Sequence, residues 1–229
     1  MISVEEHRHA DWQEDIVNIV DFGTPFGLAF ASGLNAYLPM LAFALSVRWL
    51  HLYTLSPRFT FITQNWFIAA LVILTLLDFV ADKIPLIDHL WNVIHTVVRP
   101  IAGAVVAVVA SSHALSAPAV TSSHPGSEAA SVALSVIPVT GVGLLAMLVI
   151  GGVLAALSHM VKSSTRFVST ITTAGFLNIG LSVVEDVLVF IIILLSLFAS
   201  TVMLLLLVLF VLVLVPRYLH TSNIWIGRH

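Results

Sequence analysis

Cysteine is absent from the 229 residues, which excludes disulfides, thiolate metal sites and thiol nucleophiles, and leaves the redox compartment undetermined. Charge is scarce as well. Only 9% of residues are Asp, Glu, Lys or Arg, against about 25% in soluble chains, too few to clothe a 24.7 kDa globule in water. Nine Lys and Arg against twelve Asp and Glu give a formal charge of −3, so no basic surface is available for nucleic acid. Recognisable catalytic context is missing too: there is no nucleophile elbow, no triad and no Gly-rich phosphate loop. An enzyme is therefore the last-ranked reading. The first 22 residues hold six acids and one Arg, the reverse of a secretory leader, so the first apolar segment is expected to be retained.

What the chain has is hydrophobicity, at 59% of residues and a mean hydropathy of +1.06. That composition belongs in a membrane. Apolar segments run over residues 26–50, 62–81, 100–117, 139–161, 174–197 and 201–219, and a bilayer core needs about 20 helical residues. The expected fold is an all-α, polytopic bundle of six spans. A turn near Ala199, Ser200 and Thr201 divides the last apolar run; one long tilted helix is the alternative. Residues 1–25 read as an acidic amphipathic surface helix with Trp12, Ile16, Ile19 and Val20 on one face, ending in a break at Gly23 to Pro25. Residues 26–219 form the membrane domain and 220–229 a tail.

Lys and Arg beside the spans set the orientation. Seven, Arg8, Lys83, Arg99, Lys162, Arg166, Arg217 and Arg228, fall on one side and only Arg48 and Arg58 on the other. The rich side is expected to be cytoplasmic, with both termini there, which makes the Ser- and Ala-rich stretch from Ser111 to Pro138 an external loop.

Two polar constellations fall toward the cytoplasmic side. Asp78, Asp82 and Lys83 precede a stripe of Asp88, Asn92, His95 and Arg99 at helical spacing. Pro85 suits a first turn and Pro100 is expected to end the helix, giving a short interfacial or re-entrant helix between the second and third spans. The second constellation holds His159, Lys162 and Arg166, then Asn178, Ser182, Glu185 and Asp186. Glu185 and Asp186 fall near mid-membrane by residue count, as does Asn35, where a carboxylate is costly unless paired, protonated or hydrated. The expected pathway residues are Asn35, Asp78, Asn178, Ser182, Glu185 and Asp186. Its cytoplasmic mouth is expected at Asp82, Lys83, Asp88, Asn92, His95, Arg99, His159, Lys162 and Arg166. The competing reading pairs these charges to fix helix register, for example Asp82 or Asp88 with Arg166 and Glu185 with Lys83. Ten histidines do not make a metal or haem site by their placement, so no metal or cofactor is expected.

The chain contains Gly33-Leu34-Asn35-Ala36-Tyr37-Leu38-Pro39, Ala81-Asp82-Lys83-Ile84-Pro85 with Asp88 and Trp91, Ile94-His95-Thr96, and Arg99-Pro100 with Ala102-Gly103-Ala104. In these motifs it resembles an uncharacterised prokaryotic membrane-protein family, domain of unknown function 4126. His159, Lys162, Arg166, Asn178, Ser182 and Glu185-Asp186 continue the match, while Ile179 stands where the family pattern has a proline. The resemblance implies no substrate or reaction. The function expected from the residues is a small inner-membrane transporter or channel-like protein for a small ion or an anionic head group such as a lipid phosphate. Its expected partners are membrane lipids and further copies of itself. The rival is a non-transporting subunit or assembly factor that packs on a larger complex through small-residue faces such as Gly151 with Ala155 and Gly103 with Ala107.

Overall fold

The computed structural model describes residues 22–82, 85–114, 142–173 and 177–226, and among these it is helical, without strands. The expected surface helix before Gly23 and most of the Ser- and Ala-rich loop lie outside the described residues. The helices are α1 Gly23–Ser32, α2 Leu38–Arg48, α3 Asn65–Ala81, α4 Pro85–Ala114, α5 Val142–Thr173, α6 Leu177–Phe198 and α7 Ser200–Ile226, with a 3₁₀ segment at Pro57–Thr63 before α3. Three stretches among the described residues are long and apolar enough to cross a membrane: Val93–Ser112 in α4, Gly143–Ser169 in α5 and Gly180–Phe198 in α6. The 3₁₀ segment with α3 makes a fourth if that pair, bent by 58°, is one span. At most 39% of any of the three windows is buried, so most of their apolar side chains face outward. Charged residues are inside. This inversion of a soluble protein points to a membrane protein.

The expected first span is instead a helical hairpin. At its start Thr24 Oγ1 donates to the Ser196 carbonyl at 2.7 Å, beside the end of α6. On its return, Phe43 packs on Tyr53, whose hydroxyl donates to the Leu197 carbonyl at 2.6 Å, and Arg48 donates to the Thr63 carbonyl at 2.8 Å. Both arms open toward the α6–α7 junction, and residues 33–37 are the tip. Apolar length alone could not distinguish this from a span, because each arm is as hydrophobic as a crossing helix. Gly23 to Pro25, expected as a break, form the first turn of α1, where amides lack intrahelical acceptors and proline loses nothing.

A second correction concerns residues 85–99. They do not form a separate short helix; α4 runs unbroken from Pro85 to Ala114 with Pro100 inside it, so the expected loop from Ser111 begins later. Proline is tolerated inside a membrane helix when neighbours hold the segment, and α4 is held closely by α5. A Cβ on Gly151 would lie 2.5 Å from the Ala107 Cβ and 2.7 Å from the Gly103 carbonyl oxygen. The small-residue faces reserved for an outside partner are thus used between α4 and α5. Gly151→Ala is expected to destabilise the bundle by about 1–3 kcal/mol, because a backbone carbonyl cannot move aside as a side chain can. A lower unfolding temperature in detergent checks this, and an unchanged one would show that the helices separate freely.

The division at Ala199 agrees with the sequence reading. The α7 helix folds back along α6, since Met203 and Leu207 pack with Ile192 and Leu195 and the Phe210 ring meets Phe30 edge-on at 4.9 Å. At the open end of the hairpin Trp49 and Trp66 are exposed beside Arg48 and Arg58, the residue types that collect where a membrane meets water.

Candidate functional site

The tip is shaped by three residue types. Gly33 ends α1 where any side chain would strike Ser158 and the Ala155 carbonyl. Asn35 accepts from the amides of Tyr37 at 3.1 Å and Leu38 at 2.9 Å, the local turn that Asn favours and that caps a following helix. Pro39 sits in the first turn of α2, where no amide is needed. The interruption leaves the Gly33 and Leu34 carbonyls just beyond α1 and the Ala36 amide just before α2 outside any helix, beside the negative and positive ends of two short helices.

Ionic side chains meet those poles with matching sign. Lys162 Nζ donates to the Leu34 carbonyl at 2.9 Å, and Arg99 Nη1 to the Gly33 carbonyl at 3.5 Å. On the amide side, Ala36 N–H donates to Asp78 Oδ2 at 3.4 Å. The same side chains join into one cluster. Lys162 Nζ lies 2.6 Å from Asp82 Oδ2 and 3.3 Å from Glu185 Oε2. Arg166 Nη2 lies 2.7 Å from Glu185 Oε2 and 3.4 Å from Asp82 Oδ2. Arg99 is held more loosely, with Nη2 at 3.7 Å from Asp78 and 3.8 Å from Asp82. All six side chains are at least nine-tenths buried. Three carboxylates balance three cations, which is what makes the burial tolerable.

Aromatic and histidine residues complete it. Trp91 Nε1 donates to Asp78 Oδ1 at 2.9 Å, His95 Nε2 lies 3.4 Å from the same oxygen, and His159 Nδ1 is 3.1 Å from Arg99 Nη1. Thr75, one turn before Asp78, and Ser182, one turn before Glu185, are buried with hydroxyls that find no hydrogen-bond partner. Asp82 stands just beyond the last residue of α3. Burial works to raise its carboxyl, but Lys162, Arg166 and Arg99 outweigh that and hold it below its ordinary 3.8.

Asn35, Asp78, Asp82, His95, Arg99, His159, Lys162, Arg166, Ser182 and Glu185 are therefore brought to the tip or its lining helices. Asp186 is half-buried on the adjoining side of α6. Lys83 lies outside the described residues, as do the side chains of Asp88, Asn92 and Asn178. Of the pairings weighed from sequence, Asp82 with Arg166 forms; Glu185 meets Lys162 and Arg166. Glu185 lies about 8 Å along α6 from the start of the apolar window Gly180–Phe198. Trp91 was not assigned a role from sequence, although it stands one turn before His95. The backbone groups of Gly33, Leu34 and Ala36 were missed because no side-chain pattern marks them.

Residues 23–218 match the sequence model of the family described as domain of unknown function DUF4126. The chain belongs to this family. The matched range takes in every helix of the DUF4126 fold described above up to the last turns of α7, including the tip and the whole ionic cluster. No curated protein and no solved structure matches the chain.

Proposed function

We propose that this DUF4126 protein is a small membrane transporter or channel-like protein whose working part is the re-entrant hairpin, with the ionic cluster at its tip as the gate and binding region for a small ion or an anionic head group. The observation that carries this reading is the match of charge at the tip: cations on the Gly33 and Leu34 carbonyls just beyond α1, a carboxylate on the Ala36 amide just before α2. Irregular backbone at membrane depth is tolerated only when buried in protein or lining a water-filled cavity. Interrupted helices with paired poles are how many transporters hold charged cargo.

Five crossings, by α3 with its 3₁₀ lead, α4, α5, α6 and α7, together with the hairpin, replace six simple spans in this proposal. The membrane is the prokaryotic inner membrane, with the cluster end toward the cytoplasm, and the protein works as an oligomer. The charge count from sequence does not carry this orientation, because Arg99, Lys162 and Arg166 are neutralised by buried acids and cast no vote as loop charges, and a hairpin returns the chain to the side it entered from.

A second reading, a non-transporting scaffold, is favoured by one observation: Asp78, Asp82 and Glu185 each lie within 4 Å of a cation. Reconstitution separates the two. Proteoliposomes carrying the full chain are expected to pass small ions faster than empty vesicles, with Glu185→Gln lowering the rate tenfold or more while circular dichroism stays unchanged. Equal rates for the protein and its Glu185→Gln variant would defeat the transport reading. A scaffold would instead co-purify in fixed ratio with other membrane proteins.

A further inference from the structure

His95 and Asp78 face each other without a hydrogen between them. The Trp91 carbonyl can only accept, so His95 Nδ1, 2.9 Å away, carries a hydrogen. In the neutral ring Nε2 then holds a lone pair, and it lies 3.4 Å from Asp78 Oδ1. That nitrogen makes no hydrogen bond, and His95 and Asp78 are 1% and 0% exposed. Two acceptors facing each other in a dry site repel, and one proton on either turns the repulsion into a hydrogen bond. His159 differs in kind. Its Nδ1 must accept from the Arg99 guanidinium, which leaves its hydrogen on Nε2, toward Thr96 and Ser163. Its two nitrogens are accounted for; those of His95 are not.

We infer that Asp78 and His95 together form a proton-binding site, holding one proton between Oδ1 and Nε2, and that this proton is coupled to movement of the hairpin. The coupling half of the inference rests on the transport reading; the binding half does not. Asp78 anchors the tip through the Ala36 amide, so neutralising or sharing its charge loosens the tip. Arg99 on α4 and Tyr37 at the tip lie against the pair, and the charged and titratable groups of the surrounding cluster are Asp82 just beyond α3, His159, Lys162 and Arg166 on α5, and Glu185 on α6. Three carboxylates and three fixed cations cancel, so the bound proton leaves the cluster with a single positive charge next to the poles of α1 and α2.

The test is magnetic resonance of the full chain, nitrogen-labelled at histidine, in lipid nanodiscs titrated from about pH 8 to about pH 5. The His95 signal is identified by its loss in His95→Gln, and an infrared difference spectrum records any protonated carboxyl. A single proton appearing on His95 Nε2 or on Asp78 is expected, and Asp78→Asn is expected to weaken proton binding at His95 tenfold or more, or to abolish the carboxyl band. A His95 ring that stays neutral with no such band overturns the site, and so does a midpoint that Asp78→Asn leaves in place. If Asp78→Asn does not fold, removal or displacement of the carboxyl band by His95→Gln serves instead, and an unaltered titration there overturns the site. Proteoliposome flux under a pH gradient then separates the two halves. Proton binding seen by resonance with no flux leaves the site standing and refutes transport, whereas flux that ignores both variants refutes the coupling alone.

Discussion

Lys162→Met is expected to destabilise the protein by about 3–5 kcal/mol, the cost of leaving buried charge without its partner. The ammonium joins three parts of the fold at once: the Leu34 carbonyl at the hairpin tip, Asp82 after α3 and Glu185 on α6. Methionine keeps the unbranched apolar stem and is shorter only by the missing ammonium, so packing is nearly preserved and the loss reports the charge. Two carboxylates then share Arg166 and the distant Arg99, and one carbonyl at the end of α1 loses its donor. The double variant Lys162→Met with Asp82→Asn is expected to recover part of the loss, because it removes the carboxylate left in excess. Equilibrium unfolding in mild detergent measures both. A loss under about 1 kcal/mol, the range of exposed pairs, would mean that water already screens the cluster.

How much of this was legible in the letters depends on whether a feature is set by one segment or by several. The polar residues of the site stood out because a charge in an apolar run is conspicuous, and the turn at Ala199 because the apolar run was too long for one upright helix. The hairpin was hidden, since a 25-residue apolar stretch satisfies the length of a span whether it crosses or doubles back. Gly33, Asn35 and Pro39 within seven residues are the available sign, but each alone is also tolerated within a membrane span. Pro100 misled in the opposite direction. Its local effect on a helix is to end it, but close packing at Gly103 and Gly151 sustains α4 through it. The orientation count assumed that every Lys and Arg near a span end faces water or lipid. Arg99, Lys162 and Arg166 are inside, and only their partners, scattered over three other helices, reveal it.

Acid is expected to unfasten the cluster from its outer edge, at Asp82. Its carboxyl is raised by burial but lowered further by Lys162, Arg166 and Arg99, and the net value lies below 3.8. A folded-state value below the unfolded one means that the unfolded chain takes up the proton first. The stabilisation is therefore complete above about pH 5 and is lost as pH falls through the folded-state value. The Asp82 contribution to the wild-type unfolding temperature is expected to be constant from neutral pH to about pH 5 and to be lost steeply below it. Asp82→Asn is expected to start lower at neutral pH, because the three cations lose a counter-charge, and to fall less steeply in acid, because the group that titrates is gone. The difference between the two curves isolates Asp82 from the other carboxylates. Parallel curves would mean that the Asp82 carboxylate gains nothing from its three cations on folding, and would remove the electrostatic link by which α3 and α5 hold the hairpin tip.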